Sequence, residues 1–356
     1  MIPSIREEER TETVAGLRAQ LRALPKVDLH RHLEGSLRLQ TLSEIAQEHG
    51  IDLPSYDIEY LRRFATVTDE KPDFHLFLEK FTFLRRFYPT KAAVERVAYE
   101  AVADAAADNI KYLELRFNPV ALSRQQGFSL EQVVVWVCGA VDRAQRDFGM
   151  RAKLILQIDR RGDLDTASRI AGIAADHVDD GVVGIDLAGD EVGYPCRRFA
   201  KVFQRGRREG LNITVHAGEA GGADSVREAI NLLGAQRIGH GVRAIENSDV
   251  VQLVRSHQVT LEVCPTSNLQ TAVVRGFWQH PLNDLLVLNV RVTINTDDPS
   301  ISDTTLTDEY MAAMLAMGIT LEQIKHMILT AVEGSFQSLE ERKQSIEWFR
   351  RELGMA

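Results

Sequence analysis

The chain has 356 residues, of which 44% are hydrophobic and 26% charged, ordinary globular proportions that exclude general disorder. A net charge of -9 argues against binding nucleic acid or an anionic membrane through phosphate groups, so we expect a small-molecule partner. The cysteines, Cys138, Cys196 and Cys264, form no CxxC pair, which argues against a disulfide framework or a zinc knuckle. Without an apolar signal segment or a run of about 18 uncharged apolar residues, a cytoplasmic protein is expected.

Eight short runs rich in β-forming residues recur along the chain, and longer stretches of helical periodicity separate them. They are residues 26–33, 110–117, 151–159, 182–189, 211–219, 237–242, 259–267 and 291–299. Eight such units predict a closed (β/α)8 TIM barrel, with an open doubly wound sheet as the competing fold. Two observations favour the barrel. Polar residues end many of the runs, and barrel enzymes carry their catalytic residues at these strand ends. The glycine-rich phosphate loop expected of an open sheet, GxGxxG or GxxxxGK[ST], does not follow the first run.

The segment between the first two runs, residues 34–109, is too long for an ordinary connection and carries helical patterns. We expect this helical insertion to lie over the barrel mouth. Its apolar residues at helical spacing are either helix core or, as a group, a lid: Phe74, Phe77, Leu78 and Phe81. Residues 304–353 predict helices that cover the barrel, and with no linker or repeat the whole chain, 1–356, is expected to form one domain.

The first run contains VDLHRHLEG, and strand alternation places Asp28, His30, His32 and Glu34 on one face. Barrel interiors are normally packed with Val, Ile and Leu, so a polar stripe pointing inward needs a partner that offsets its desolvation. A metal ion is the simplest partner. The alternative is a pair of core histidines satisfied by hydrogen bonds.

The fifth and eighth runs end in HAGE and TDDP, which add His216 and Asp297 as further metal ligands. Three imidazole nitrogens and one carboxylate suit one Zn²⁺ per chain with a water at an open position, although other divalent ions compete for such ligands. Glu219 is able to face the same pocket without being a ligand, and Asp298 is free to bond a substrate. Zinc lowers the pKa of bound water to about 7, which predicts hydrolysis.

Two further strand ends carry candidate pocket residues. The sixth run ends in RIGHGV, where His240 stands between two glycines and either orients the zinc-bound water or is a buried structural histidine. In DLAGDE, Gly189 permits close approach of the backbone to a flat ligand, unless it is only a turn glycine.

These segments together resemble the adenosine deaminase family of the amidohydrolase superfamily. The resemblance covers most of the chain in the expected order, through PKVDLHRHLEGSL, YLELRFNP, IDLAGDE, TVHAGE, RIGHG, CPTSN and TDDP. It implies that the zinc ligands are His30, His32, His216 and Asp297. It also implies roles around the purine: Glu219 protonates N1, His240 assists the attacking hydroxide, Asp298 contacts N7 and Gly189 contacts N3. Phe77 and Phe81 align more loosely with apolar residues over the purine and ribose.

The implied reaction is attack of hydroxide at purine C6 followed by loss of ammonia, with lid closure raising the pKa of Glu219. One position departs from the family pattern. Where many adenosine deaminases read HLDG, with the Asp near the ribose 5′-hydroxyl, this chain has Glu34 in HLEG, as relatives acting on adenine or other 6-aminopurines do. We therefore predict deamination of adenosine and 2′-deoxyadenosine in purine salvage. The alternative substrate is adenine or a 5′-modified adenosine such as aminodeoxyfutalosine.

Other function classes fit less well. A two-metal amidohydrolase or a Schiff-base enzyme needs an inward Lys, and none of the eight run ends carries one. Deaminases of bases in nucleic acid show HxE with PCxxC, which this chain lacks in that form. A non-catalytic zinc scaffold or purine-binding protein remains the rival from a different class. Glu219 disfavours it, because a closed structural zinc site has no need of an adjacent acid.

Overall fold

The computed structural model describes residues 7–68, 70–124 and 126–355, with side chains from Thr13 onward. Within these residues, eight parallel strands lie side by side in chain order. Strands β1 to β8 are Lys26–His32, Ile110–Phe117, Arg151–Asp159, Val182–Ala188, Asn212–Ala217, Arg237–His240, Thr260–Val263 and Arg291–Ile294. The ring closes where Asp297, just after β8, pairs with Arg31 of β1. The predicted TIM barrel is confirmed.

Helices follow the strands and surround the sheet. In chain order, α1 to α17 are Glu7–Ala23, Leu39–Glu48, Ile58–Ala65, Phe74–Leu84, Lys91–Ala107, Pro119–Ser123, Leu130–Phe148, Leu164–Asp176, Ala200–Arg208, Ala223–Glu228, Ser248–Ser256, Pro265–Gln270, Leu282–Val287, Pro299–Ser302, Leu306–Ala316, Leu321–Gly334 and Leu339–Glu352. Short 3-10 turns span Glu34–Ser36, Arg85–Phe87, Cys196–Phe199, Val242–Glu246 and Phe277–Gln279, and Ala229–Leu233 extends α10 as a π-turn. No helix among the described residues is long and apolar enough to cross a membrane.

Local sequence explains where these helices begin and end. Helix α7 begins with a capping box of Ser129 and Gln132 and ends at Gly149, whose φ of 60° few other residues adopt easily. Helices α12 and α14 both begin at a proline, which fits the first turn of a helix and not a central strand. Pro265 therefore ends β7 within the predicted run 259–267. Strand β8 also ends earlier than the predicted run 291–299, at Ile294, and only the single bridge at Asp297 follows it before Pro299.

The predicted insertion, residues 34–109, has two parts. Its last helix, α5, packs against β2 and α7 and so occupies the position of an ordinary barrel helix. Residues 34–90 are the added segment. Within it, α4 contacts the turn at Glu34–Ser36. Asp73 caps the N-terminus of α4, and its side chain accepts hydrogen bonds from the backbone N–H groups of His75 and Leu76. At the other end of the chain, α16 packs on β1 and β8, and α17 packs on α16.

The expected polar face of the first strand is only partly present. The pairing of β1 with β2 shifts between Asp28 and Arg31, a bulge that ends strict alternation. The Asp28 carboxylate consequently accepts hydrogen bonds from Arg31 Nε at 3.1 Å and Thr296 Oγ1 at 2.7 Å instead of joining the histidines. Glu34 likewise lies beyond the strand, in the 3-10 turn at Glu34–Ser36.

The interior of the barrel is ionic. Arg237 contacts Glu262 Oε1 at 2.5 Å and Glu114 Oε2 at 2.6 Å, and Arg116 donates to Glu262 Oε2 at 2.8 Å. All four side chains are buried. Because each charge meets an opposite charge, the desolvation cost is offset, and removal of one partner leaves another charge buried and unpaired.

Candidate metal centre and catalytic pocket

Three histidines from the ends of two strands meet at the barrel mouth. His30 and His32 come from β1 and His216 from β5. One ligand atom from each of them and one carboxylate oxygen of Asp297 all lie within 4.8 Å of one another. Asp297 Oδ1 is 3.1 Å from His30 Nε2 and 3.2 Å from His32 Nε2. The structure thus brings together all four residues predicted to bind metal.

Hydrogen bonds on the far side of each ring aim the Nε2 atoms at this cluster. His30 Nδ1 contacts Glu262 Oε2 at 2.8 Å, and His32 Nδ1 contacts Gln157 Oε1 at 3.0 Å. His216 Nδ1 contacts Asp186 Oδ2 at 3.0 Å. Each partner atom is an acceptor, so each Nδ1 carries the proton and each Nε2 turns a lone pair inward.

These lone pairs fit a cation. His30 Nε2 is buried without a hydrogen-bond partner, and the Nε2 atoms of His32 and His216 lie only 3.3 Å apart with no proton available between them. Nitrogen lone pairs and a carboxylate in contact repel one another unless a positive charge lies between them. Three imidazoles and one carboxylate form a donor set that suits a divalent metal such as zinc.

A second layer of charge fixes the acids behind the histidines. Arg116 donates to Asp186 Oδ2 at 3.2 Å as well as to Glu262. Burial alone would raise the pKa of both carboxyls. For Asp186, the interactions with His216 and Arg116 outweigh the effect of burial. For Glu262, the charges of Arg116 and Arg237 outweigh it. The pKa of each carboxyl therefore lies below its ordinary value. Both acids are therefore ionised acceptors that orient the rings, as outer partners of metal-bound histidines commonly do.

Glu219 lies beside the cluster and is buried. Burial, reinforced by the charges of Asp297, Glu191 and Asp298, raises its pKa well above the ordinary value. This is the direction expected for an acid that gives up a proton at neutral pH. The turn that carries Glu219 is held by Glu191, whose carboxylate accepts from the backbone N–H groups of Gly218, Glu219 and Gly221 at 2.6, 3.1 and 2.7 Å.

His240 faces both Glu219 and the cluster. Its Nε2 is 3.5 Å from Glu219 Oε2 and 3.8 Å from Asp297 Oδ2, and burial lowers its pKa well below the ordinary value. On the other side of the ring, Nδ1 lies 3.1 Å from Asn268 Nδ2. Both His240 and Asp297 have a positive φ, 59° and 61°, which is uncommon for residues with a side chain and often marks functional sites.

Asp298 projects under the turn that follows β1. A Cβ on Gly35 would lie 1.8 Å from Asp298 Oδ1, so only glycine at position 35 leaves room for this carboxylate. Burial and the nearby charge of Asp297 raise the pKa of Asp298 well above its ordinary value, and its buried Oδ1 has no hydrogen-bond partner. Asp298 is thereby available to a ligand, and its raised pKa favours the protonated form.

One pocket collects the residues predicted to bind substrate. It is lined by His32, Glu34, Phe77, Phe81, Gly189, Glu219, His240 and Asp298, with His216 and Asp297 beneath them. Phe77 is buried, and the Phe81 ring lies edge-on to that of His32 with centroids 6.4 Å apart. Gly189 has a φ of 100°, and a Cβ there would lie 3.1 Å from Asp159 Oδ1.

Glu34 belongs to the same pocket. Its Oε1 accepts from the Asn118 backbone N–H at 2.9 Å, while the buried Oε2 has no hydrogen-bond partner among the described residues. Burial raises the pKa of Glu34. The free oxygen is a position where a polar group of a ligand would be satisfied.

Several residues of the site carried no role in the sequence analysis. They are Gln157, Asp186, Glu191, Glu262 and Asn268, which contact the predicted residues from other strands or loops. Signals for four of them were present in the sequence. Glu262 interrupts the apolar run VTLEV and Asp186 interrupts VVGIDLAG, while Glu191 and Asn268 end the resembling segments IDLAGDE and CPTSN. None of these patterns identifies the residue that each one contacts.

A TIM barrel with three histidines and an aspartate clustered at its strand ends is the arrangement of a metal-dependent hydrolase. Residues 25–349 match the family model described as adenosine deaminase. An adenosine deaminase of Clostridium botulinum (strain Hall) is 38% identical over 331 residues, which cover 93% of this chain and 98% of that protein. The chain belongs to the adenosine deaminase family, and the predicted resemblance is confirmed.

Solved structures agree on the fold. Adenine deaminase from Arthrobacter aurescens is 29% identical with a TM-score of 0.85, covering 92% of this chain and 98% of that one. An amidohydrolase from Burkholderia ambifaria, solved with bound Zn, is 26% identical with a TM-score of 0.86, covering 100% of this chain and 95% of that one.

Proposed function

We propose that this protein is a zinc-dependent deaminase of adenosine and 2′-deoxyadenosine that releases inosine or 2′-deoxyinosine and ammonia. The observation that carries the proposal is the buried Glu219, whose pKa lies well above its ordinary value, beside a cluster of three histidines and one aspartate. The likeness to the Clostridium adenosine deaminase supports the nucleoside substrate, and the Zn in the Burkholderia structure supports the metal.

In this mechanism, His30, His32, His216 and Asp297 would hold a zinc ion. Bound there, the ion would lower the pKa of water to about 7 and so supply a nucleophile at neutral pH. Glu219 donates its proton to purine N1, which withdraws electrons from C6 and makes that carbon more electrophilic. His240 donates a hydrogen bond toward the attacking oxygen, and Asp298 donates one to N7. The C6–N bond then breaks as the proton of the C6 hydroxyl passes to the amino group, which leaves as ammonia while the hydroxyl oxygen becomes the carbonyl of the product.

We also propose that α4 acts as a lid within a single enzyme domain. The pocket contains about 70 Å³ of free space, whereas ligand pockets typically offer roughly 300 Å³ or more. Phe74, Phe77, Leu78 and Phe81 of α4 form one of its walls. A nucleoside therefore requires outward movement of α4 to enter, and return of these rings excludes water from the reacting carbon.

The deciding experiment is ammonia release from adenosine, 2′-deoxyadenosine and adenine, each with and without a chelator. Turnover of the two nucleosides that is lost with the chelator and restored by Zn²⁺ is the expected result. No turnover of any purine by the zinc-loaded protein would overturn the proposal in favour of a non-catalytic purine-binding protein.

A second candidate is a 5′-modified adenosine that carries an anionic group, and the observation that favours it is Arg85. This half-buried residue lies between the pocket and an adjoining cavity of about 590 Å³, which Arg124 and Arg161 also line. Among the described residues Arg85 forms no ion pair, although its charge acts on Glu34, and its buried Nε has no hydrogen-bond acceptor. A phosphate or carboxylate attached to the substrate would supply both.

Adenosine 5′-monophosphate and adenosine distinguish the two candidates. If the cavity holds the anion, Arg85→Gln should lower kcat/KM for the phosphate far more than for adenosine, whereas Arg255→Gln, an exposed arginine on α11, should change neither. Equal losses on both substrates would show that Arg85 serves no anion. Preference for adenine would instead support the activity named for the Arthrobacter protein.

A further inference from the structure

A chain of buried hydrogen bonds leads from the backbone of α13 to the catalytic pocket. The Leu282 N–H donates to His280 Nδ1 at 3.1 Å, and His280 Nε2 lies 3.2 Å from Asn268 Oδ1. Asn268 Nδ2 in turn lies 3.1 Å from His240 Nδ1. All three side chains are buried, so water does not compete for these contacts.

The direction of each hydrogen bond follows from the first. A backbone N–H only donates, so His280 Nδ1 must accept and the ring must carry its single proton on Nε2. Burial lowers the pKa of His280 to about 4, in agreement with a neutral ring. His280 Nε2–H then donates to the amide oxygen of Asn268, which turns the NH₂ group toward His240. His240 Nδ1 must accept, and its proton is on Nε2.

The surroundings of His240 Nε2 agree with this result independently. The nearest acidic oxygens are Glu219 Oε2 at 3.5 Å and Asp297 Oδ2 at 3.8 Å. The Asp297 carboxylate is an acceptor, and an acceptor on this side favours a proton on Nε2 over a lone pair.

We propose that Asn268 and His280 are positioning residues that lock His240 in the Nε2–H tautomer, so that His240 presents a hydrogen-bond donor to the pocket and no base. In this state Nδ1 is occupied by Asn268, and Nε2 has no lone pair with which to take a proton from water. His240 therefore acts on the developing negative charge of the attacking oxygen. This catalytic consequence rests on the proposed deamination, whereas the tautomer itself does not.

The tautomer is measured directly by ¹⁵N NMR of histidine-labelled, zinc-loaded protein, with the His240 signals assigned by their loss in His240→Gln. Protonated and unprotonated ring nitrogens have well-separated shifts, and we expect His240 to show Nε2 protonated. Asn268→Asp replaces the NH₂ donor with an acceptor, so the proton should move to Nδ1 while the zinc content stays at one per chain. A wild-type Nδ1–H tautomer, or no change in Asn268→Asp, would overturn the proposal.

Variants of His280 keep the test open if Asn268→Asp does not fold. His280→Leu removes the donor that orients the Asn268 amide, and we expect mixed His240 tautomers. His280→Gln retains an N–H donor of similar reach and should restore the single Nε2–H form. Identical spectra for these two variants would contradict the proposed direction of the chain.

Kinetics then report the catalytic consequence. Loss of one preorganised donor typically lowers kcat by about 10²–10³-fold. We expect Asn268→Asp to lower kcat on adenosine by about that factor with a much smaller change in KM, because the affected charge develops after binding. A shifted tautomer with unchanged kcat would refute the role of the donor but leave the tautomer lock intact. If the wild-type protein turns over no purine, the NMR result still tests the lock.

Discussion

His30 Nδ1 lies 2.8 Å from Glu262 Oε2 in the interior of the barrel, where neither side chain has any exposed surface. The same carboxylate contacts Arg116 and Arg237, so a single acid connects the histidine cluster to the ionic interior of the barrel. The first prediction follows from this contact.

Replacement of Glu262 by Gln should weaken metal binding about 10- to 100-fold, the usual cost of losing an outer partner of a ligating histidine. It should also destabilise the fold by about 3–5 kcal/mol, because Arg116 and Arg237 remain buried with less negative charge nearby. Competition of the protein with a zinc chelator and thermal unfolding measure these effects. The matched control is Glu246→Gln, an exposed acid that pairs with Arg243. Equal zinc affinity in both variants would contradict the assignment.

Replacement of Glu219 by Gln should lower kcat by about 10²–10⁴-fold, since the amide has the shape of the acid but no proton to transfer. Zinc content and melting temperature should remain close to wild type, because the Glu219 side chain is not among the four clustered ligands. Steady-state kinetics with metal analysis provide the test. Activity near that of the wild-type protein would remove Glu219 from the mechanism.

Replacement of Gly35 by Ala should displace Asp298, because the added Cβ would lie 1.8 Å from Asp298 Oδ1. Since a shift of about 1 Å in a reacting group costs as much as about 10²-fold, we expect a large fall in kcat/KM with the metal retained. Gly139→Ala is the control. No atom lies within 4 Å of a Cβ at this helical position, and alanine there should stabilise the protein by about 0.5–1 kcal/mol. Unchanged kcat/KM in Gly35→Ala would refute the role of Asp298.

Glu309 on α15 should make stability depend on pH. Burial raises its pKa from 4.5 to about 7, and its carboxyl accepts from the Thr266 N–H and the Thr304 hydroxyl. Because the pKa is higher in the folded state than in the unfolded state, its stabilising contribution is complete below about pH 4.5 and is lost as pH rises toward 7. A shift of this size corresponds to at most about 3 kcal/mol.

The test compares unfolding free energies at pH 5 and pH 8 in wild type and Glu309→Gln, which stays neutral throughout. The wild-type protein should lose more stability than the variant on going to pH 8. The exposed Glu340→Gln should follow the wild type. Parallel curves for wild type and Glu309→Gln would mean that Glu309 titrates normally.

The sequence by itself predicted the barrel, its eight strands and the residues that meet at its mouth. It did so because alternation along a strand and the recurrence of strand–helix units are local patterns, and because parallel strands in a barrel end at the same face. His30, His32, His216 and Asp297 lie in three separate segments, yet each stands at the end of a predicted run. Because eight parallel strands close into a barrel and end at the same face, these four residues are expected to lie close together.

Only the tertiary structure decided which atoms act on each other. Glu262 and Asn268 meet His30 and His240 across 232 and 28 residues of chain, and the bulge in β1 takes Asp28 away from the histidines. Tautomers, pKa shifts and the fit of Asp298 against Gly35 depend on interatomic distances of a few ångströms between elements. Those distances are set by strand register and barrel closure, which residue types and spacing along the chain do not encode locally.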